Sequence, residues 1–301
     1  MFGGGPFGSI PYGSVPIART FPSAGLPEKP WILTGILSDL ATFESVDAPL
    51  MPVANLQNQE PSKKFRANGT SAKIRITFPY PVPANALGWV GHNHSAAGQF
   101  RIRAFTSAAN MLAETSADYD SGWQSVWPLG VKPQVRSWSV YTSILRFTNY
   151  TSYQYWLYEV SDGGPGLTYT QGGRFMLNRA WQSARFPDHS LRMGATSTDS
   201  RIRSSRNALY PDGRPRARRF MLPFSVATPE DALDFAGDLN RENGTATDLI
   251  CCIDPAATSR FHQYTIHGLL SETVEAEGIP LFDGAGVQQW KFSLSIDELL
   301  T

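Results

Sequence analysis

The chain has 301 residues, which suits two domains of roughly 100–150 residues each. Its 26 Lys+Arg balance 26 Asp+Glu to a formal net charge of +0, so no bulk field draws it to nucleic acid or an anionic membrane, and self-association is favoured. With 42% hydrophobic and only 17% charged residues, disorder through charge is excluded for most of the length.

Eight Trp, eleven Tyr and seventeen Phe stand beside 26 Gly and 22 Pro. Aromatic residues suit pleated, half-buried surfaces while Gly and Pro punctuate turns, so a sandwich or barrel is expected rather than a helical bundle. Residues 1–29 carry Gly and Pro too densely for helix or central strand, yet include Phe7, Ile10, Tyr12, Val15, Ile17 and Phe21. Two readings stay open for this arm: a segment that docks on its own body or a neighbour, or a disordered tail. It has no basic or apolar region of a signal peptide, and no apolar run approaches the roughly 20 residues that span a bilayer.

A globular segment begins at Trp31. Residues 72–78 alternate, placing Ile74, Ile76 and Phe78 on one face of a half-buried strand. Further strands are expected at 87–90, 100–105, 140–147 and 153–160, with a small polar loop at 91–98 and a turn at Asp162-Gly163-Gly164-Pro165-Gly166. Thr168–Thr170 and Arg174–Leu177 read as a closing strand pair around Gly172-Gly173. Short strands between Gly/Pro turns predict an antiparallel sandwich.

The texture changes after about Asn178. An arginine-rich stretch leads to a strand over 220–226 and then a helix over about 229–243, with Thr228 as N-cap, Pro229 at the first position, Glu230 and Asp231 in the first turn, and Asn243-Gly244 at the C-terminus. Leu233, Phe235 (or Ala236) and Leu239 are its expected apolar stripe. Strands are expected again at 249–253, 264–270 and 290–296. Cys251 and Cys252 are adjacent on a strand and point to opposite faces, so they read as free, partly buried thiols of a reducing cytosol.

The run Trp89-Val90-Gly91-His92-Asn93-His94-Ser95-Ala96-Ala97, followed by Phe100-Arg101-Ile102-Arg103, resembles a stretch of a family of tailed-bacteriophage minor tail proteins. The aromatic strand 154–162 and the segment 172–181 are similar to the succeeding segments of that family, and the likeness extends over roughly 30–301. It implies a mainly β protein: an N-terminal galactose-binding-like (discoidin-like) sandwich over 30–178 and a C-terminal tail-tube or distal-tail-like β-barrel with one packed helix over 179–301. It further implies a virion component at the tail tip or baseplate, made in the bacterial host's cytoplasm, homo-oligomeric as a trimer or hexamer ring, and touching tube, hub and tip proteins. The family's acidic, Asn-rich turn is replaced here by 162–166, which counts against a ligand role for that turn.

Several constellations then compete with plain packing. His92 and His94 would share a strand face, but no Cys, Asp or Glu lies in their loop, so no metal is expected; the family likeness has Asn93 and its neighbours bonding backbone at a tight turn. Tyr119, Trp123, Trp127 and Trp138 fall within twenty residues among Asp118, Asp120 and Gly122, and are candidates for carbohydrate or interface contact, a host surface glycan being the possible ligand, against simple packing under the sandwich. Arg201, Arg203, Arg206, Arg214, Arg216, Arg218 and Arg219 face one acid, Asp212, in their stretch. They are expected at subunit contacts, in a solvated loop, or lining a tube lumen; Pro211, Gly213 and Pro215 break any groove-entering helix, so specific nucleic-acid binding is not expected. No catalytic motif is found, Asp188-His189-Ser190 cannot converge on one point, and neither catalysis nor a cofactor is expected, a glycan hydrolase being the remote alternative.

Overall fold

A computed structural model describes residues 29–133, 141–149, 151–188, 191–196, 200–203, 209–212, 217–257, 260–282 and 286–299. The arm before residue 29 lies outside the described residues. The protein is mainly β, and its strands stack as three successive layers with a helix on the outermost face.

The first layer is an antiparallel sheet ordered Thr42–Ser45, Ser71–Pro83, Ser152–Ser161, Gln99–Phe105 and Tyr119–Asp120, with Gln124–Ser125 also on Gln99–Phe105. The alternation at 72–78 sends Ile74, Ile76 and Phe78 inward. Phe100, Ile102, Trp156, Tyr158 and Val160 join them from neighbouring strands. Facing them is a three-stranded sheet ordered Phe175–Asn178, Ala86–Val90, Thr142–Arg146, which contributes Leu87, Trp89, Leu145, Phe175 and Leu177 to the same core. The two sheets make the expected sandwich.

The small sheet is buried on both faces, which is why Ala86–Val90 is apolar without a break. Its other side, with Ala86, Val90, Ile144 and Met176, packs on Trp31, Leu33, Ile250 and Cys252 of a third sheet. That sheet runs Trp31–Thr34, Leu249–Cys252, Thr265–Leu270, Gln288–Glu298, Ala217–Ala227, Arg192–Thr196, with Glu277–Phe282 on Gln288–Glu298. A Cβ on Gly88 would overlap Ile250 Cδ1, so glycine there sets how closely the layers approach. On the far side, Phe224 and Phe292 stack at 4.7 Å under Phe235 of the helix, 6.3 and 5.3 Å away.

Four expectations change in detail. The first strand, Trp31–Thr34, pairs with Leu249–Cys252 and meets Trp181 through Ile32, so the segment placed at the start of the sandwich is an element of the third sheet. That sheet is open: among the described residues its outer strands do not pair with each other, so no barrel closes. Thr168–Thr170 is not a strand; the next residues, Gln171–Gly172, pair with Phe65–Arg66, and Phe175–Asn178 pairs with Ala86–Val90, so the segments around Gly172-Gly173 do not pair with each other. The helix begins as expected, with Thr228 Oγ1 accepting from Asp231 N at 3.1 Å, and ends near Gly244 at φ 56°. Its middle turns, Leu233–Leu239, are π-helical. Residues two apart lie on nearly opposite sides of a helix, so Leu233 and Phe235 cannot share a stripe. Phe235 and Leu239 are buried, and Leu233 is 69% exposed.

Cys251 and Cys252 are free and fully buried, Cys251 in the core under the helix and Cys252 in the core against the small sheet. Burial pushes the Cys251 thiol up to about 12, so both stay protonated small apolar groups.

A buried charge cluster joins the layers. Arg174, wholly buried, donates from Nε and Nη2 to Asp248 at 2.8 Å each, from Nη2 to Asp39 Oδ2 at 2.9 Å and from Nη1 to the Gln57 carbonyl at 2.7 Å. His267 Nε2 lies 2.7 Å from Asp248 Oδ2. Asp39 comes after the first strand, Arg174 precedes the small sheet's edge strand, Asp248 precedes Leu249–Cys252 of the third sheet, and His267 lies on that sheet's Thr265–Leu270. The guanidinium fork therefore ties three parts of the chain at one point.

Candidate functional site

The loop 91–98 leaves the central strand of the small sheet at Gly91, whose φ of 72° makes a turn open to glycine. His92 and His94 both turn inward, with ring centroids 4.8 Å apart. His92 Nε2 lies 2.7 Å from Ser143 Oγ, and its ring packs on Trp127 at 4.9 Å and stacks on Tyr141 at 6.2 Å. His94 packs edge-on to Trp89 at 5.0 Å, with Nδ1 3.5 Å from Asp162 Oδ2. Burial holds the pKa of His92 well below 6.5, with His94 and Lys132 adding to the effect; burial also lowers His94, against the pull of Asp162. Both are neutral packing groups. Among the described residues no three His, Cys, Asp or Glu are grouped to hold a metal.

Asp162 anchors this loop to the turn 162–166. Its carboxylate accepts Ser95 N at 2.6 Å, Ser95 Oγ at 2.5 Å and Gly164 N at 2.9 Å. Burial alone would raise its pKa, but His94 and the Ser95 and Gly164 donors outweigh that and hold the carboxyl far below the usual range. Its acceptor capacity is spent inside the protein. Asn93 does bond backbone, but across to the next loop: Nδ2 donates to the Tyr169 carbonyl at 2.8 Å and Oδ1 accepts Gln171 N at 2.9 Å.

Two cations flank the loop with a tyrosine ring against each, and Lys132 also feels the charge of Asp162 from within the loop. On one side Lys132 Nζ sits 4.5 Å from the centre of the Tyr141 ring and 5.9 Å from that of Trp127. On the other, Arg66 lies 4.2 Å over Tyr169 while Nε and Nη2 donate to Gln171 Oε1 at 3.1 and 2.8 Å. Cation–π contact positions such groups without neutralising them. Neither residue stands out in the sequence: Arg66 closes the short basic run Lys63-Lys64-Phe65-Arg66 about a hundred residues before Tyr169, and Lys132 is nine residues before Tyr141.

The nominated aromatics do not form one platform. Trp127 is 1% exposed and donates Nε1 to the Ser95 carbonyl at 2.6 Å, so it seals the loop from beneath. Tyr119 is half-buried against Phe147, 5.8 Å away; burial, and then Asp120, push its hydroxyl up to about 12. Trp123 is 46% exposed, carried outward by a turn in which Gly122 has φ 65° and donates to Asp120 Oδ1 at 2.9 Å. Trp138 lies outside the described residues.

The arginine stretch separates as well. Arg201 and Arg203 lie on Ser200–Arg203, which pairs with Leu209–Asp212 as a short ribbon. Arg206, Arg214 and Arg216 lie outside the described residues. Arg218 is bound by Glu298 (Nε to Oε1, 2.8 Å) and by the His262 carbonyl at 2.7 Å, and Arg219 by Asp297 at 2.5 and 2.7 Å. Those two are engaged by the last strand of the same chain. Asp188 accepts Ser225 N at 2.8 Å; His189 and Ser190 lie outside the described residues.

No known family profile matches the sequence, and no curated protein does either. Among solved structures, the fold is similar to a family-32 carbohydrate-binding module of AlyQ, determined with 4,5-unsaturated mannuronic acid, at 13% identity, covering 45% of this chain and 92% of that one with TM-score 0.32. It is similar to a structure of the Streptococcus pneumoniae β-galactosidase BgaA at 11% identity, covering 49% and 97%, TM-score 0.31. A fucolectin from striped bass (Morone saxatilis) serum aligns at 8% identity, covering 89% and 99%, TM-score 0.34. Scores this low transfer neither ligand nor activity. Among the described residues no helix is long and apolar enough to cross a membrane.

Proposed function

We propose that the chain is a non-catalytic structural component of a bacteriophage tail tip or baseplate, packed as a trimer or hexamer around the tail axis beside tube, hub and tip proteins. The phage assignment rests on the sequence resemblance in 89–103 and 154–181. The observation that carries the structural role is the fusion of layers: the first strand completes the third sheet, and the buried Arg174–Asp248 pair clamps the junction. A body knit this way suits load-bearing assembly. Virions labelled with antibody to this chain should show label at the tail tip in low-resolution images, and the purified chain should form a discrete oligomer. A strict monomer absent from virions rejects the proposal, and sugar released from host envelope glycans by the purified chain rejects its non-catalytic part.

A second reading, a receptor-binding module for host surface polysaccharide, is favoured by Trp123, an indole left 46% exposed on a tight turn at the sandwich edge. A glycan-array signal abolished by Trp123→Ala, with folding intact, is its expected signature. A signal that survives that substitution removes Trp123 from the site.

A further inference from the structure

The loop end of the sandwich combines three features. Lys132 and Arg66 are held on tyrosine faces, so their positions are fixed while ammonium and guanidinium N–H donors stay unspent; of the five guanidinium donors on Arg66, Gln171 takes two, one from Nε and one from Nη2. Lys64, one residue before the strand Phe65–Arg66, adds a third positive charge that acts on His92 together with Lys132. The acid in their midst, Asp162, is turned inward with its oxygens bonded to Ser95 and Gly164; its one negative charge, which reaches Lys132, is outnumbered by the three cations. His92 and His94 are buried and neutral, and so offer no competing charge.

We propose that this rim, centred on loop 91–94 with Lys132 on one flank and Arg66 on the other, binds the carboxylates of an acidic saccharide. The inference rests on the second reading above, that the sandwich takes a glycan, and specifies its charge and place. A carboxylate would receive charge-assisted hydrogen bonds from groups already ordered, so little side-chain entropy is lost on binding. Two separated cations match a chain with repeated carboxylates better than a single small anion.

The test uses the full chain on immobilised polygalacturonate and, in parallel, on immobilised dextran. Retention is expected on polygalacturonate alone, weakening steeply with salt. The double variant Arg66→Met/Lys132→Met keeps the aliphatic stems over the tyrosine rings and should lose at least about tenfold in affinity; Lys132→Arg should bind as the parent does. An unchanged near-UV circular dichroism spectrum establishes that the variants are folded. Equal retention on both supports, or a double variant that binds undiminished, overturns the proposal. Displacement by inorganic phosphate as readily as by galacturonate overturns the saccharide assignment. Trp123-dependent binding to neutral glycans without binding to polygalacturonate overturns this inference while leaving the second reading intact; binding to no glycan at all sinks both.

Discussion

Two regions of the molecule treat their cations in opposite ways. At the third sheet's last strand, Arg218 and Arg219 face Glu298 and Asp297 across one ladder, and each charge is cancelled by its neighbour. At the loop end of the sandwich, Lys132 and Arg66 rest on Tyr141 and Tyr169, whose rings hold them without cancelling their charge. A formal net charge of +0 therefore conceals an uneven distribution. Both regions fix their cations; a carboxylate consumes what it fixes, while an aromatic face leaves it available. Arg174 marks the extreme of the first kind, wholly buried between carboxylates.

That contrast can be broken at several points. Arg174→Met should have the largest effect, about 3–5 kcal/mol by denaturant unfolding, because removing one partner strands the Asp248 charge in the interior; the same midpoint as the parent would mean that the junction does not depend on the ion cluster. Asp162→Ala should cost about 1.5–3 kcal/mol through lost bonds to a charged acceptor, and should free loop 91–98 so that its amides exchange faster. A pH series separates the histidines from this carboxylate. His92 and His94 have folded pKa values below 6.5, so the unfolded chain takes up protons first. Stability should then fall as pH drops through 6.5, by at most about 1.4 kcal/mol per pH unit for each histidine. The carboxyl of Asp162 is also depressed; its contribution is present above the unfolded value of about 3.9 and is lost only below it. His92→Asn/His94→Gln should flatten the first slope and spare the second, and a slope that persists places the titrating group elsewhere. Smallest of all, Arg219→Ala, at an exposed pair, should leave the unfolding midpoint where it was; a large shift there would show that surface pairing at the last strand is structural.

Local pattern carries much of the fold. The alternation at 72–78 places Ile74, Ile76 and Phe78 inward, adjacent Cys251 and Cys252 enter opposite cores, and Thr228-Pro229 begins a helix. These features depend on periodicity and capping within a few residues. What the pattern hides is long-range. Nothing near Trp31 announces a partner at Cys252, and the open edge of the third sheet has no local signature. The candidate site is less legible still. For Trp127 the sequence leaves packing and ligand contact both open, because aromatic clustering is the same in sequence whether the ring is buried or bare; Lys132 and Arg66 draw no notice because only the fold sets them on Tyr141 and Tyr169.

The placement of Trp31–Thr34 bears on how the protein can be dissected. A fragment beginning at residue 179 would lack the strand that covers Leu249–Cys252, leaving a bare apolar edge prone to aggregate. Conversely, a protease cut in the stretch after Trp181 would sever the backbone yet leave both pieces clasped, so a nicked sample should migrate as intact until denatured.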